Sequence, residues 1–237
     1  LLLCLLGWAL SGAAATPQRI ISLTPHLTEL LYDMGAGDRI VATDDASDFP
    51  PEVAPLPRVA NYRSINLEAL LAQKPDLVVA WRSAQSRMLA PVEKLGIPVF
   101  YSEPTDFASL ATEMRSLGRL LGTRQKADQQ ADAYLARLNA LKQRYGKPKP
   151  VSVFYQLWYP PLTSVNDSTW PGHAIRLCGG RNIMADASSP YPQVGLEQVI
   201  KANPGLILAG SRDPAVLAHW RQWSMLDAVK QQRLLLI

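Results

Sequence analysis

Asn66-Leu-Glu-Ala-Leu-Leu-Ala-Gln-Lys-Pro-Asp-Leu-Val-Val-Ala-Trp81 aligns without a gap on Gly195-Leu-Glu-Gln-Val-Ile-Lys-Ala-Asn-Pro-Gly-Leu-Ile-Leu-Ala-Gly210. Leu67, Glu68, Pro75, Leu77 and Ala80 meet Leu196, Glu197, Pro204, Leu206 and Ala209, and Tyr62 meets Tyr191 at the same offset. A weaker echo precedes each copy, where Met34-Gly-Ala-Gly-Asp-Arg-Ile40 resembles Leu177-Cys-Gly-Gly-Arg-Asn-Ile183. The chain therefore reads as one unit written twice. Two related lobes, each with a Glu and an aromatic at equivalent places, point to a clamp around a ligand more than to a one-domain enzyme.

Working outward, strand and helix signals alternate, the pattern of an α/β fold with parallel sheets. Residues 19–23 form a predicted strand, and a helix opened by Thr24 or Thr28 runs to Met34, where Gly35 and Gly37 end it. Residues 39–43 are the next strand, residues 48–52 a turn, and Pro55 and Pro57 prolong the loop. Asn66 caps a helix through Gln73, which Lys74-Pro75 breaks. Leu77-Val-Val-Ala80 is apolar throughout, as a central parallel strand is. A helix over residues 86–95 ends at Gly96, and residues 97–101 make the last strand, with Pro98 marking an edge or a strand start.

Residues 106–145 carry no strand signal. One amphipathic helix covers residues 106–121, Gly122-Thr123 interrupts it with Thr123 as cap, and a second covers residues 126–145. Residues 151–155 then open the second lobe. The expected organisation is a signal peptide at 1–15, an N-terminal lobe at 16–122, an interlobe backbone helix at 123–146 and a C-terminal lobe at 147–237. A long rigid helix between the lobes should hold them at a nearly fixed separation, with the ligand cleft between them.

Residues 1–10 are apolar and residues 11–15 small, the pattern of a signal-peptide core and its cleavage site after Ala15. No Met or basic segment precedes the run, so the signal is expected to be truncated at its start. Leucines on both sides of Cys4 argue against a lipid-anchoring cysteine. The run is too short to span a bilayer. A soluble exported protein is the expectation. The last residues, Arg233-Leu-Leu-Leu-Ile237, read as a strand cut short. Removal of the leader leaves one cysteine, Cys178, which is either a small buried residue or a thiol whose partner lies in a missing tail.

The net charge of +4 is spread along the chain without a basic run, which argues against nucleic acid as a partner. No nucleophile elbow, phosphate loop, Cys-x-x-Cys or zinc-protease motif occurs. The three histidines, His26, His173 and His219, are too scattered to mark a metal site, although His26 follows a strand end. No cofactor is expected. Aromatics are the remaining signal: Tyr62, Trp81, Trp158, Tyr159, Trp170 and Tyr191 fall at strand ends or in loops, where open α/β folds bind ligands. They suit a large, flat, partly apolar ligand, with Arg82 and Gln193 as polar contacts. Glu68 and Glu197 sit in the first turns of repeated helices. They serve the helix dipole there, or, because they recur, present two acidic knobs to a basic partner.

Several motifs carry a family resemblance. Asn61-Tyr-Arg-Ser-Ile-Asn-Leu-Glu68, Lys74-Pro-Asp-Leu-Val-Val-Ala-Trp-Arg82, Pro160-Pro-Leu-Thr-Ser164, Leu177-Cys-Gly-Gly-Arg-Asn-Ile183 and Pro190-Tyr-Pro-Gln-Val194 resemble the periplasmic cobalamin-binding proteins of ABC importers. Thr24-Pro-His-Leu-Thr-Glu29 and Gly179-Gly-Arg-Asn-Ile183 are shared with siderophore and haem receptors built on the same helical-backbone plan. The resemblance implies two Rossmann-like lobes joined by a long rigid helix, with cobalamin or a related corrinoid in the cleft. It implies ligand contacts from Tyr62, Trp81, Arg82, Leu162 and Tyr191, and docking of Glu68 and Glu197 on the permease dimer, which works with its ATPase subunits. It also implies a protein that is monomeric when free and performs no chemistry. Tyr62 and Tyr191 stand where the best-known member has Trp, Leu162 replaces a Phe and Ala46 a Tyr. These departures thin the aromatic lining and leave a different corrinoid or haem open. Family members can carry a second-lobe disulfide, which agrees with Cys178 having lost a partner. A haem or iron–siderophore receptor is the alternative. An enzyme or assembly factor on a nitrogenase-like fold would need ligating Cys or His residues, and the mature chain offers one Cys.

Overall fold

The computed structural model describes residues 15–146 and 149–237, so the signal-peptide reading lies, but for Ala15, outside the described residues. The chain divides into two compact units. The first takes the chain through Glu103 together with Thr112–Ala131, and the second takes Pro104–Ala111 and Asp132–Ile237.

The first unit runs β1 (Ile20–Ser22), α1 (Pro25–Asp33), β2 (Ile40–Asp44), β3 (Arg58–Ala60), α2 (Leu67–Ala72), β4 (Leu77–Trp81), α3 (Arg82–Lys94) and β5 (Val99–Ser102). Its strands form one parallel sheet in the order β3-β2-β1-β4-β5. β4 is paired on both sides and Leu77 to Ala80 are buried, which is why this strand is apolar rather than alternating. Ile21, Val78, Leu70, Leu89 and Val92 pack in one core cluster. Each such side chain contributes about 1.5–3 kcal/mol on burial.

Two long helices follow, α4 (Phe107–Leu120) and α5 (Arg124–Tyr145). Within the first unit a side chain at Gly118 would run into Ala127, so the small residue permits α4 and α5 to approach closely. Glu113 of α4 accepts hydrogen bonds from Ser102 Oγ (2.6 Å) and Glu103 N (2.8 Å), fastening α4 to the end of β5. α5 is one continuous helix of 22 residues, and the boundary between the units falls within it.

The second unit runs β6 (Val151–Gln156), α6 (Trp170–Leu177), β7 (Gly180–Asn182), α7 (Leu196–Ala202), β8 (Leu206–Ala209), a 3₁₀ segment (Pro214–Trp220), α8 (Asp227–Lys230) and β9 (Leu234–Leu236). Its parallel sheet has the order β7-β6-β8-β9. This is the order β2-β1-β4-β5 over again, and α2 and α7 are the two copies of the repeated helix. The upstream echo has a backbone meaning as well. Both α1 and α6 are left through a glycine at positive φ, Gly35 at 77° and Gly179 at 76°, ahead of the next strand of the sheet. The parallel α/β fold read from the sequence is thus present in each unit.

Several local readings need correction. β3 lies in the stretch read as loop after Pro57. Three residues carry too little periodicity to announce a strand, and pairing with β2 creates it, reinforced by Arg58, whose guanidinium donates to the carbonyls of Asp44 and Ser47 and to the Thr43 hydroxyl. α3 begins at Arg82 instead of residue 86, because Gln85 Oε1 accepts from Trp81 N at 2.8 Å and lets the strand pass directly into the helix. Thr123 does not cap α5 with its side chain, since its hydroxyl has no partner. Trp170 is the first residue of α6, not a loop residue, and packs edge-on to Phe107 and His173. Cys178 is an exposed free thiol, not a buried small residue, because the C-cap of α6 lies at the surface.

Candidate functional site

In the first unit the carboxyl ends of β1, β2, β3 and β4 open on a cleft of about 710 Å³. β1 and β4 flank the point where the connections diverge to opposite sides of the sheet, the ordinary place for a ligand in an open α/β fold. Tyr62 and Trp81 line this cleft together with Thr24, Asp44, Asp45 and Arg63. Tyr62 is 84% exposed and Trp81 39%, so both offer ring faces to a ligand. The Arg63 guanidinium lies 4.9 Å from the centre of the Tyr62 ring. His26 meets Trp81 edge-on at 5.5 Å. Burial pushes the His26 imidazole below its ordinary pKa against the opposing pull of Asp44, so it favours the neutral form beside Trp81.

The cleft floor is stiff. Gln85 is buried, accepts from Trp81 N and donates to Leu23 O at 2.9 Å, tying the ends of β4 and β1. Beneath Asp44, hydroxyls form a chain: Ser47 Oγ donates to Asp44 Oδ1 at 2.5 Å, and the Thr28 hydroxyl lies 2.9 Å from Ser47 Oγ and 2.8 Å from Ser22 Oγ. Arg82 is exposed and its guanidinium sits 4.8 Å above the Tyr101 ring; it stands next to Trp81 in sequence but does not line the cleft.

The second unit has its own crevice at the ends of β6 and β8, about 160 Å³, lined by Gln156, Leu157, Trp158, Tyr159, Gly210 and Ser211 among others. Trp158 is exposed and held by a 3.0 Å bond from its Nε1 to Pro160 O. Tyr159 stacks on His219 with centroids 4.2 Å apart, and burial lowers the His219 pKa. Gly210 stands where the first copy has Trp81. A Cβ there would lie 2.5 Å from the Tyr155 hydroxyl, so this copy has no room for the equivalent ring.

Tyr191 is exposed on a loop laced to its neighbour: Ser164 N donates to Pro192 O, Asn166 N to Pro190 O and Val194 N to Leu162 O. Leu162 is 7% exposed and belongs to the core cluster of Phe154, Val194 and Trp220, so its side chain stiffens this loop pair and offers little surface. Gln193 is exposed and bridges to Thr163. Glu68 and Glu197 are exposed in the first turns of α2 and α7. The structure thus brings Tyr62 and Trp81 into one cleft and places Leu162 and Tyr191 on one pair of loops in the other unit. Sequence reasoning set Thr24 at a strand end as a helix opener, without a ligand role, and passed over Asp44 and Asp45; the acidic pair follows directly on a predicted strand and was legible as a strand-end feature. Among the described residues no group of three or more His, Cys, Asp or Glu could hold a metal ion, and no helix is long and apolar enough to cross a membrane.

Comparison with known proteins agrees with this geometry. The vitamin B12-binding protein of Vibrio campbellii is 37% identical over 214 residues, which is 90% of this chain and 78% of that protein. The vitamin B12-binding protein of Yersinia pestis is 38% identical over 211 residues, covering 87% of this chain and 75% of that protein. Among solved structures, the periplasmic vitamin B12 binding protein BtuF of Vibrio cholerae superposes with a TM-score of 0.80 at 35% identity, over 93% of this chain and 88% of that one. The periplasmic heme binding protein HutB of Vibrio cholerae, at 24% identity, shares the fold with a TM-score of 0.83 over 93% of this chain and 89% of that one. The family described as periplasmic binding protein matches residues 20–237. With that match over nearly every described residue and the parallel sheets of both units in agreement, the chain belongs to the periplasmic binding protein family.

Proposed function

We propose that this protein captures vitamin B12 or a related corrinoid in the periplasm and delivers it to an ABC importer, performing no chemistry and needing no resident cofactor. The observation that carries the reading is the exposure of aromatic rings at the carboxyl ends of parallel strands, Tyr62 and Trp81 in one unit, Trp158 and Tyr159 in the other. Exposed rings of this size on stiff supports are a liability to a soluble protein unless a broad, partly apolar ligand covers them. The relatives named for vitamin B12 support the choice of ligand. Tyr62, Trp81 and Tyr191 are the ring contacts of this proposal, with Arg82 beside Trp81, while Leu162 acts from beneath by holding the Tyr191 loop. Glu68 and Glu197 are its docking residues for the permease dimer, which its ATPase subunits drive, and the free protein is a monomer.

Calorimetric titration with cyanocobalamin tests the ligand. One equivalent should bind at micromolar or lower concentration, and Trp81→Ala should weaken binding by about tenfold or more. No binding at micromolar concentration, with haem or a ferric siderophore bound instead, would replace the corrinoid by those ligands. Reversing Glu68 and Glu197 together to Lys should abolish uptake in cells while ligand affinity stays unchanged. Normal uptake by that variant would remove the docking role.

A further inference from the structure

The first-unit cleft contains hydrogen-bonding groups that the protein itself does not use. Thr24 lines the cleft and is 7% exposed, yet its hydroxyl is buried and has no partner. It occupies the N-cap of α1, where a threonine oxygen ordinarily accepts from an amide of the first turn, and it makes no such bond. Thr169, at the same place on α6, does so, accepting from Gly172 N at 3.2 Å. The first turn of α1 therefore has no side-chain acceptor, its first residue Pro25 has no amide N–H, and the donor left unused at this end of the cleft is the Thr24 hydroxyl.

Acceptors line the same cleft. Asp44 is committed to Ser47 and to Ala46 N (3.2 Å), whereas the Asp45 carboxylate is exposed and has no hydrogen-bond or ion-pair partner among the described residues. The one lining cation, Arg63, lies over Tyr62. Donors and acceptors set in one cleft match a group that both accepts and donates. A primary amide does both, and a carboxylate only accepts while being repelled by Asp44 and Asp45.

We propose that this cleft reads the neutral primary amides on the rim of a corrinoid and rejects the corresponding carboxylates, with the Thr24 hydroxyl taking the amide oxygen and Asp45 the amide NH₂. The inference rests on the corrinoid reading above. It makes Thr24 and Asp45 specificity residues that select fully amidated ligand over hydrolysed corrinoids and over propionate-bearing macrocycles.

Titration of the full chain with cyanocobalamin and with the monocarboxylic acids made by hydrolysing one propionamide tests it. At least one acid should bind about tenfold or more weakly than cyanocobalamin, as loss of a charge-assisted bond and added repulsion require. Asp45→Asn should recover most of that loss, and added salt should do so in part. Thr24→Val, which removes only an unpartnered hydroxyl from the free protein, should weaken cyanocobalamin about fivefold. Equal binding of all the acids and the amide, or an unchanged ratio in Asp45→Asn, overturns the inference and leaves the corrinoid assignment standing. Failure of cyanocobalamin itself to bind removes both.

Discussion

Two glutamines do comparable work at the floors of the two crevices, and they do it from opposite sides. Gln85 belongs to α3, after β4, and reaches back to the carbonyl of Leu23 beyond β1. Gln156 ends β6, the counterpart of β1, and reaches forward to the segment that takes the place of α3, donating to Val216 O at 2.9 Å and accepting from Trp220 Nε1 at 2.6 Å. Trp220 is fully buried, so its indole N–H has no other outlet. Gln156→Leu should therefore cost about 2–3 kcal/mol, the desolvation of an orphaned buried donor and acceptor, measured by urea unfolding. A loss below about 0.5 kcal/mol would mean that solvent reaches these groups. Neither glutamine was legible in the sequence. They do not fall at equivalent positions of the repeat, and a lone Gln near a strand end has no pattern of its own. The exposure of Tyr62, Trp81 and Tyr191 was legible because large rings placed outside apolar runs need a reason. Leu162 shows the limit of substitution logic: an apolar residue in a ligand loop reads alike whether it faces ligand or core.

At the scale of elements, the repeat keeps the helix and changes its cap. Asn66 Oδ1 accepts from Ala69 N at 3.0 Å and caps α2, while Gly195 leaves α7 without a side-chain cap. Gly195 has φ −70° and ψ 139°, ordinary extended values, and a Cβ there would meet nothing within 4 Å. Gly195→Asn should stabilise the protein by about 0.5–1 kcal/mol, through a new cap and a less flexible unfolded chain. Asn66→Ala should destabilise it by about 1 kcal/mol. Thermal or urea unfolding of both variants checks the pair, and a destabilised Gly195→Asn protein would contradict the cap argument. The elements that pattern marked well are β4, whose four buried residues run together, and α5, where Ala127 and Ala131 are buried and half-buried residues recur at helical spacing. β3 and the first turn of α3 escaped because single side-chain bonds, from Arg58 to the β2 segment and from Gln85 to Trp81 N, decide them.

At the scale of the molecule, neither unit is one stretch of chain. The first turn of α4 belongs with the second unit and the rest of that helix with the first, and α5 passes from one to the other without a break. Loss of either unit therefore removes packing from a helix that the other needs. Unfolding should be a single transition, with the fluorescence of Trp81, isolated by comparison with Trp81→Phe, coinciding with far-ultraviolet circular dichroism. Two separated transitions would show that the shared helix does not couple the units. The same interleaving bears on how the chain folds as it is made. When β1 through β5 have emerged, the first unit is still incomplete, because its share of α4 and α5 runs on to Ala131. Residues 104–111 emerge before almost everything they pack with. The growing chain must thus carry an unfinished unit past its fifth strand, and the time spent in that state sets its exposure to misassembly.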